Sequence, residues 1–192
     1  MAKAGQSGIT SNTPKNILFG AGTIHKNLTY NEGAWNFEES LVGATSGGSK
    51  FTIAPEMVNI EADGADVKVK GLNVKTGETA TMEINFLEIT TDLIKASIIG
   101  AEGTSDDNKF TLIESKASID EGDYWDNIAF VGKNLEGKNV IVILENALCT
   151  SGLELEGKAK EAGVGAFTFE SHADLDGDHD KLPYRIYYPT AN

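Results

Sequence analysis

The sequence predicts a mainly β fold: a sandwich or partly closed barrel of two packed sheets with one flanking α-helix. Three observations carry that expectation. Across residues 78–88, Ala80, Met82, Ile84 and Phe86 alternate with Thr79, Thr81, Glu83 and Asn85, the period of a strand with one buried face and one wet face. Residues 140–144, VIVIL, are apolar without alternation, as a strand covered on both faces would be. Helical spacing is convincing only at Ile89, Leu93, Ile94 and Ile98, so a single helix is expected over residues 89–99.

In chain order, residues 1–15 are rich in Gly, Ser, Thr, Asn and Lys and show no period, which predicts an extended N-terminal arm preceding one domain over residues 16–192. Residues 17–19 are apolar, Gly20-Ala21-Gly22 reads as a turn or bulge, and residues 23–30 resume as a strand. Residues 38–50, EESLVGATSGGSK, read as a long loop, and a loop longer than about 12 residues in a compact domain is usually functional or disordered. Short strands follow around residues 58–61 and at Val67 and Val69, which alternate with Lys68 and Lys70. After the half-buried strand comes the helix, with Thr91 as the expected N-cap, Asp92 in its first turn and Gly100 as its stop. A polar loop at 101–109 leads to strands at 110–119 and 127–131, then to the apolar strand within 137–149. Beyond Ser151-Gly152, Leu153 and Leu155 alternate with Glu154 and Glu156. Gly165, Phe167, Phe169, Ser171 and Ala173 then oppose Ala166, Thr168, Glu170, His172 and Asp174, and residues 184–188 close the fold. The total is about ten strands and one helix.

Composition narrows the function. The 192 residues hold 29 acidic and 16 basic side chains, a net charge of −13, which opposes binding of free nucleic acid or anionic membranes. The segment MAKAGQSGIT lacks the apolar stretch of a secretory signal, so synthesis in the cytoplasm is expected, with no membrane partner. The single cysteine, Cys149, lies beside an apolar run and is expected to be a small buried hydrophobe.

Candidate chemistry is sparse. Asp174, Asp176, Asp178 and Asp180 alternate around Gly177 and suggest a calcium loop. An EF-hand starting at Asp174 would need Gly at its sixth place and Glu at its twelfth, where the chain has His179 and Arg185, so the run reads as a solvated hairpin tip. No metal or cofactor is expected. His25, His172 and His179 lie on polar segments and are expected to be solvated. No G-x-S-x-G elbow is present, so no enzyme is expected. Trp125, between Tyr124 and Asp126, could stack a sugar, though a place at the edge of the core fits it better. A calcium- or glycan-binding β-sandwich module is therefore the alternative class.

Three stretches in order, ILFGAGTI (17–24), FTIAPEMVNIEADG with VKVKGL (51–72), and FTFESHADL with LPYRIYYP (167–189), resemble the major tail tube protein of long-tailed, siphovirus-like bacteriophages. The resemblance implies the phage tail tube fold and a structural virion protein. Hexameric rings would stack into a tube that conducts DNA into the host without binding it, alongside the tape measure, distal tail and terminator proteins. A tail terminator of the same fold is a further alternative. The resemblance places inter-ring contacts in the 38–50 segment, at Glu38, Glu39, Ser40, Leu41, Val42 and Lys50, and in the N-terminal arm. An acidic bore would suit a conduit for a polyanion, because each cation on the wall would be a sticking point. Glu83 on one face, or Glu154 and Glu156 on another, are the residues expected to line it.

Overall fold

The computed structural model describes residues 7–157 and 159–190; residues 1–6 of the expected arm lie outside the described residues. In chain order the strands are β1 (Leu18–Lys26), β2 (Tyr30–Asn31), β3 (Ala34–Trp35), β4 (Thr45–Asn59), β5 (Asn73–Phe86), β6 (Gly100–Gly103), β7 (Leu112–Ser115), β8 (Trp125–Asn134), β9 (Asn139–Cys149), β10 (Gly165–Ser171) and β11 (Tyr184–Tyr187). Two helices interrupt them, α1 (Phe37–Ser40) and α2 (Thr91–Ile98). No helix among the described residues is long and apolar enough to cross a membrane.

β9 organises the architecture because it has apolar partners on both faces. Val142 and Leu144 join Ile24, Phe130, Phe86 and Phe169 in the main core, while Ile141 and Ile143 join Leu28, Ala129 and Val131 under Trp35 and Phe37. The unalternating run at 140–144 thus has the two-sided cover its composition demands. One edge of β9 pairs with β8 along its length. The other edge forks: Ile141 to Leu144 pair with β11, and Ala147 to Cys149 pair with β10. At the fork Asn146 has φ 47°, a conformation Asn tolerates better than most residues, and its Nδ2 donates to His172 O at 3.1 Å and to Asp174 Oδ1 at 2.9 Å. Ser171 Oγ donates to Glu145 O at 2.8 Å, and the Arg185 guanidinium pairs with the Glu145 carboxylate.

From the fork the sheet runs as two layers, β1-β8-β9-β11 and β10-β5-β4, within one seven-stranded antiparallel ladder. The second layer folds back so that Phe51, Ile53, Ala80 and Met82 pack on Ile24 and Phe130, with the Phe51 and Phe130 rings 5.9 Å apart. Each fully buried large side chain in such a core contributes about 1.5–3 kcal/mol. The ladder does not close into a barrel. β1 and β4 are its two ends and do not pair with each other among the described residues; just before β4, Leu41 bridges His25 and Val42 N donates to Ile24 O at 3.0 Å. Helix α2 flanks the core through Leu93 and Ala96. The mainly β class, the two packed layers and the flanking helix are as the sequence predicts.

Several local expectations are corrected. Residues 38–50 are not one long loop: α1 takes Phe37–Ser40 and β4 begins at Thr45. Gly47 and Gly48, at φ 83° and 82°, instead make a bulge in β4, where the register shifts between Thr45 and Ser49. The N-cap of α2 is Thr90, whose hydroxyl accepts from Leu93 N at 3.3 Å, not Thr91. Ile99, at φ 51°, ends the helix one residue before Gly100, which opens β6. Val67 lies in a bend and Val69 in an irregular stretch, not in a strand, and residues 153–156 form no strand, their alternation lacking a partner edge. Thr13–Asn16 form a 3-10 turn within and just past the expected arm, tied down by Asn134 Nδ2 donating to Lys15 O at 2.9 Å. Gly20 and Gly22 do form the bulge expected of them, between Phe19 and Thr23.

Candidate assembly surfaces

The outward face of the β4-β5-β10 layer is built by strict alternation. Register places Lys50, Glu83 and Thr168 in one row, Thr52, Thr81 and Glu170 in the next, with Asn85 beside Ala166 and Ala54 beside Thr79. Because Ala80, Met82, Ile84 and Phe86 point into the core, these residues must face away from it. The face carries hydroxyls, methyls and an amide around two carboxylates, Glu83 and Glu170, and Lys50 is held by Glu83 at 2.8 Å. Glu83 therefore sits on a broad polar face, with a lysine beside it. Glu154 and Glu156 lie apart from it, on the irregular connector between β9 and β10.

β4 is also an edge. Of its fifteen residues, Thr45 and residues 49–59 pair with β5 on one side, and in the ladder of the described residues the other side has no partner strand. Beyond Pro55 the β4–β5 hairpin projects, and Met57, Val58, Ile60, Val67, Val69 and Val74 remain 40–78% exposed on it. A run of large aliphatics at that exposure marks a contact surface more often than free surface.

A cleft of about 810 Å³ lies between α2, β1 and the segment before β8. Its lysines are all engaged: Lys26 with Asp92 at 3.0 Å, Lys95 with Asp92 at 3.3 Å and Glu102 at 2.9 Å, and Lys116 with Asp120 at 3.0 Å and Asp123 at 2.6 Å. Hydrogen bonds from Lys26 hold Asp92 below the usual carboxylate range, and the same kind of contact from Asp123 raises Lys116. This is a clamp on α2, with no group poised to move a proton. Trp125 forms part of its wall at 6% exposure, with the Phe169 ring at 4.7 Å and Lys26 Nζ 4.6 Å from its centroid, so it has no open face for a sugar.

The aspartate run does not converge. Asp174 takes the Asn146 amide, Asp178 pairs with Lys181 at 3.0 Å, and His179 Nε2 donates within the turn to Asp174 O and Leu175 O at 3.0 Å each. Among the described residues no group of three or more His, Cys, Asp or Glu is placed to hold a metal ion. Cys149 is 3% exposed and free, its thiol pushed up by burial.

Comparison with known proteins adds a likeness of fold. No family model matches the sequence, and no curated protein matches it. Among solved structures, the fold is similar to a chain of an extracellular contractile injection system, the PVC sheath–tube complex in its extended state. That likeness spans 94% of this chain and 100% of that one, at TM-score 0.47 and 11% identity. A likeness of that size does not bear on function.

One buried group escapes sequence reasoning. His25, expected to be solvated, is 2% exposed. Its Nδ1 lies 2.9 Å from Ser40 Oγ and its Nε2 2.8 Å from Thr23 Oγ1. Because Ser40 Oγ donates to Asn36 O at 2.7 Å, the serine accepts from Nδ1–H, which leaves Nε2 to accept from the Thr23 hydroxyl in preference to its longer 3.4 Å contact with Val131 O. The serine is thus turned away from nucleophilic use and the pair latches α1 to β1. Ser40 follows fifteen residues after His25, a spacing with no motif to announce it. Burial lowers the His25 pKa, partly offset by a hydrogen bond to Phe37. A depressed histidine stabilises the fold fully above its unfolded value near 6.5, and that contribution is lost as pH falls through 6.5 toward the folded value. Urea midpoints should therefore fall between pH 7 and pH 5.5 in the native chain. In His25→Asn that dependence should be flat over the same range; equal slopes would remove the latch.

Proposed function

We propose that this chain is a structural subunit that assembles with copies of itself, in hexameric rings stacked into the tail tube of a siphovirus-like phage, through which DNA passes on ejection. The observation that carries the reading is the fifteen-residue edge of β4 with no partner strand in the described residues. An edge this long in a lone domain invites indiscriminate pairing. The Gly47-Gly48 bulge and the register shift after Glu56 bound the regular ladder at residues 49–56, the stretch a neighbouring strand would extend. A continuous sheet made that way would present the Lys50, Glu83 and Thr168 row to a common interior, with Lys50 already neutralised and no bare cation for a phosphate to find. Glu38, Glu39, Ser40, Leu41, Val42 and Lys50 are the contacts proposed between rings, and the tape measure, distal tail and terminator proteins are the proposed partners at the tube ends. The made protein would leave the bacterial cytoplasm as part of the virion.

Electron microscopy of the purified full chain at rising concentration tests this. Rings of uniform diameter or hollow filaments are expected. A protein that sediments as a monomer at every concentration, and that a preformed tube seed does not recruit, would overturn the reading.

A further inference from the structure

The chain holds two Asp-Gly dipeptides, Asp63-Gly64 and Asp176-Gly177, both exposed and both in turns. An aspartate before glycine is chemically labile, because no side chain shields the following backbone nitrogen from the aspartate's carboxyl carbon. Attack then depends on how free that nitrogen is, and here the two sites differ. Gly177 N donates to Asp174 O at 3.0 Å, and a Cβ on Gly177 would stand 3.1 Å from Asp174 Cβ, so this nitrogen is engaged within a crowded turn. Gly64, at φ 84°, lies in a turn closed by the residue after it, Ala65 N donating to Ala62 O at 3.1 Å. Among the described residues neither Gly64 N nor Asp63 O makes a hydrogen bond, and beyond its chain neighbours nothing lies within 4 Å of the Gly64 Cβ position. The peptide unit between Asp63 and Gly64 can therefore rotate without giving up a contact. Asp66, in the same loop, precedes Val67, whose branched side chain does shield its nitrogen.

We infer that Asp63 is a site of spontaneous rearrangement to isoaspartate, and that the hydrogen bond at Gly177 protects Asp176 from the same reaction. The Gly64 nitrogen bonds to Asp63 Cγ and gives up its proton, the hydroxyl of the carboxyl group leaves with that proton as water, and the product is a cyclic imide. Water then opens the ring. Opening at Cγ restores aspartate. Opening at the main-chain carbonyl leaves Gly64 joined through the side-chain carbon, with an extra methylene in the main chain and the former main-chain carboxylate free. No group is oxidised or reduced, and the net charge is unchanged. The change stays within the loop, because Ile60 N donating to Leu72 O at 2.8 Å and the pairing of Asn59 with Asn73 close its base. The freed carboxylate, exposed on the hairpin tip, is the group that isoaspartyl methyltransferases modify, so the aged chain becomes a substrate for that class of enzyme.

The full chain, aged in water enriched in heavy oxygen, tests this. Each passage through the imide takes one oxygen from solvent, so peptide mass spectrometry reads turnover at each aspartate, and methylation by a protein isoaspartyl methyltransferase reads the rearranged product. In the folded chain the peptide holding Asp63 is expected to label several-fold faster than the one holding Asp176. In guanidinium chloride, which removes both turns, the two rates should converge. Asp63→Glu, which would have to close a larger ring, should lose most of the methyl acceptance while keeping the native circular dichroism and urea midpoint, since Asp63 is exposed. An unlabelled Asp63, equal or faster labelling at Asp176 in the folded chain, a ratio that the denaturant leaves unchanged, or full methyl acceptance in Asp63→Glu would each overturn the inference.

Discussion

Phe169→Ala is expected to destabilise the fold by about 3–5 kcal/mol. Phe169 is fully buried, and it is the residue of β10 that pairs at once with Met82 of β5 and Cys149 of β9. It stands where the two layers part, and its ring lies 4.7 Å from Trp125. Removing it opens a cavity that β9 cannot collapse to fill, because β9 is held by β8 on its other edge. Against a total stability of about 5–15 kcal/mol the loss would be a large share. Urea denaturation should show a lower midpoint with the slope unchanged. Phe110→Ala, at a site 70% exposed, should change stability by no more than about 0.5 kcal/mol. If the two substitutions cost the same, the core is not where the packing places it.

The two clearest sequence signals, the alternation in β5 and the apolar run of β9, were legible because each is a local image of burial. Ala80, Met82, Ile84 and Phe86 all fall at or below 1% exposed, and β9 is covered on both faces. What was not legible depends on partners far along the chain. The fork at Asn146 exists because β10 and β11 both claim one edge of β9, and no local pattern records which strand pairs with which. The alternation of Leu153 and Leu155 with Glu154 and Glu156 looks like a strand, yet period two makes a strand only where an edge is free to accept it. Residues 38–50 misled in the other direction, since Gly47 and Gly48 punctuate a strand as a bulge with the same residues that punctuate a loop.

The candidate surfaces divide in the same way. Glu83 on an outward face follows from alternation alone, but its neutralisation by Lys50 needed the register of β4 against β5. Net charge says nothing about where charges are placed, so a charge of −13 could not show that Glu83 has a lysine beside it and Glu170 in the next row. Glu38, Glu39 and Leu41 were singled out as members of a loop, and they are exposed for a different reason: α1 is pinned to β1 through His25 and Ser40 and presents its acidic side outward. Ile99 shows the opposite limit. Helix-stop chemistry pointed to Gly100, yet the left-handed residue is a β-branched one, and Gly100 is needed where a Cβ would press on Ile113 Cγ2 at 3.0 Å and Glu114 O at 3.1 Å.

Gly22→Ala is expected to cost about 2–4 kcal/mol, from two causes that can be separated. Gly22 has φ 68°, and a Cβ there would stand 2.6 Å from Phe130 Cζ and 2.9 Å from Val131 O. Phe130 cannot retreat, because its ring packs against Phe51 and a Cβ on Gly132 would meet it too, at 2.7 Å from Cε1. Gly20 supplies the control, since it shares the bulge at φ 89° but has nothing within 4 Å of its Cβ position. Gly20→Ala should therefore show the backbone cost alone, about 1 kcal/mol. The excess in Gly22→Ala measures how tightly the bulge presses the first strand onto Phe130. A Phe130→Leu background should relieve much of that excess, an interaction that a double-mutant cycle reads directly. If Gly20→Ala and Gly22→Ala prove equal, the bulge is required only for its backbone turn, and the close approach of β1 to the core adds nothing.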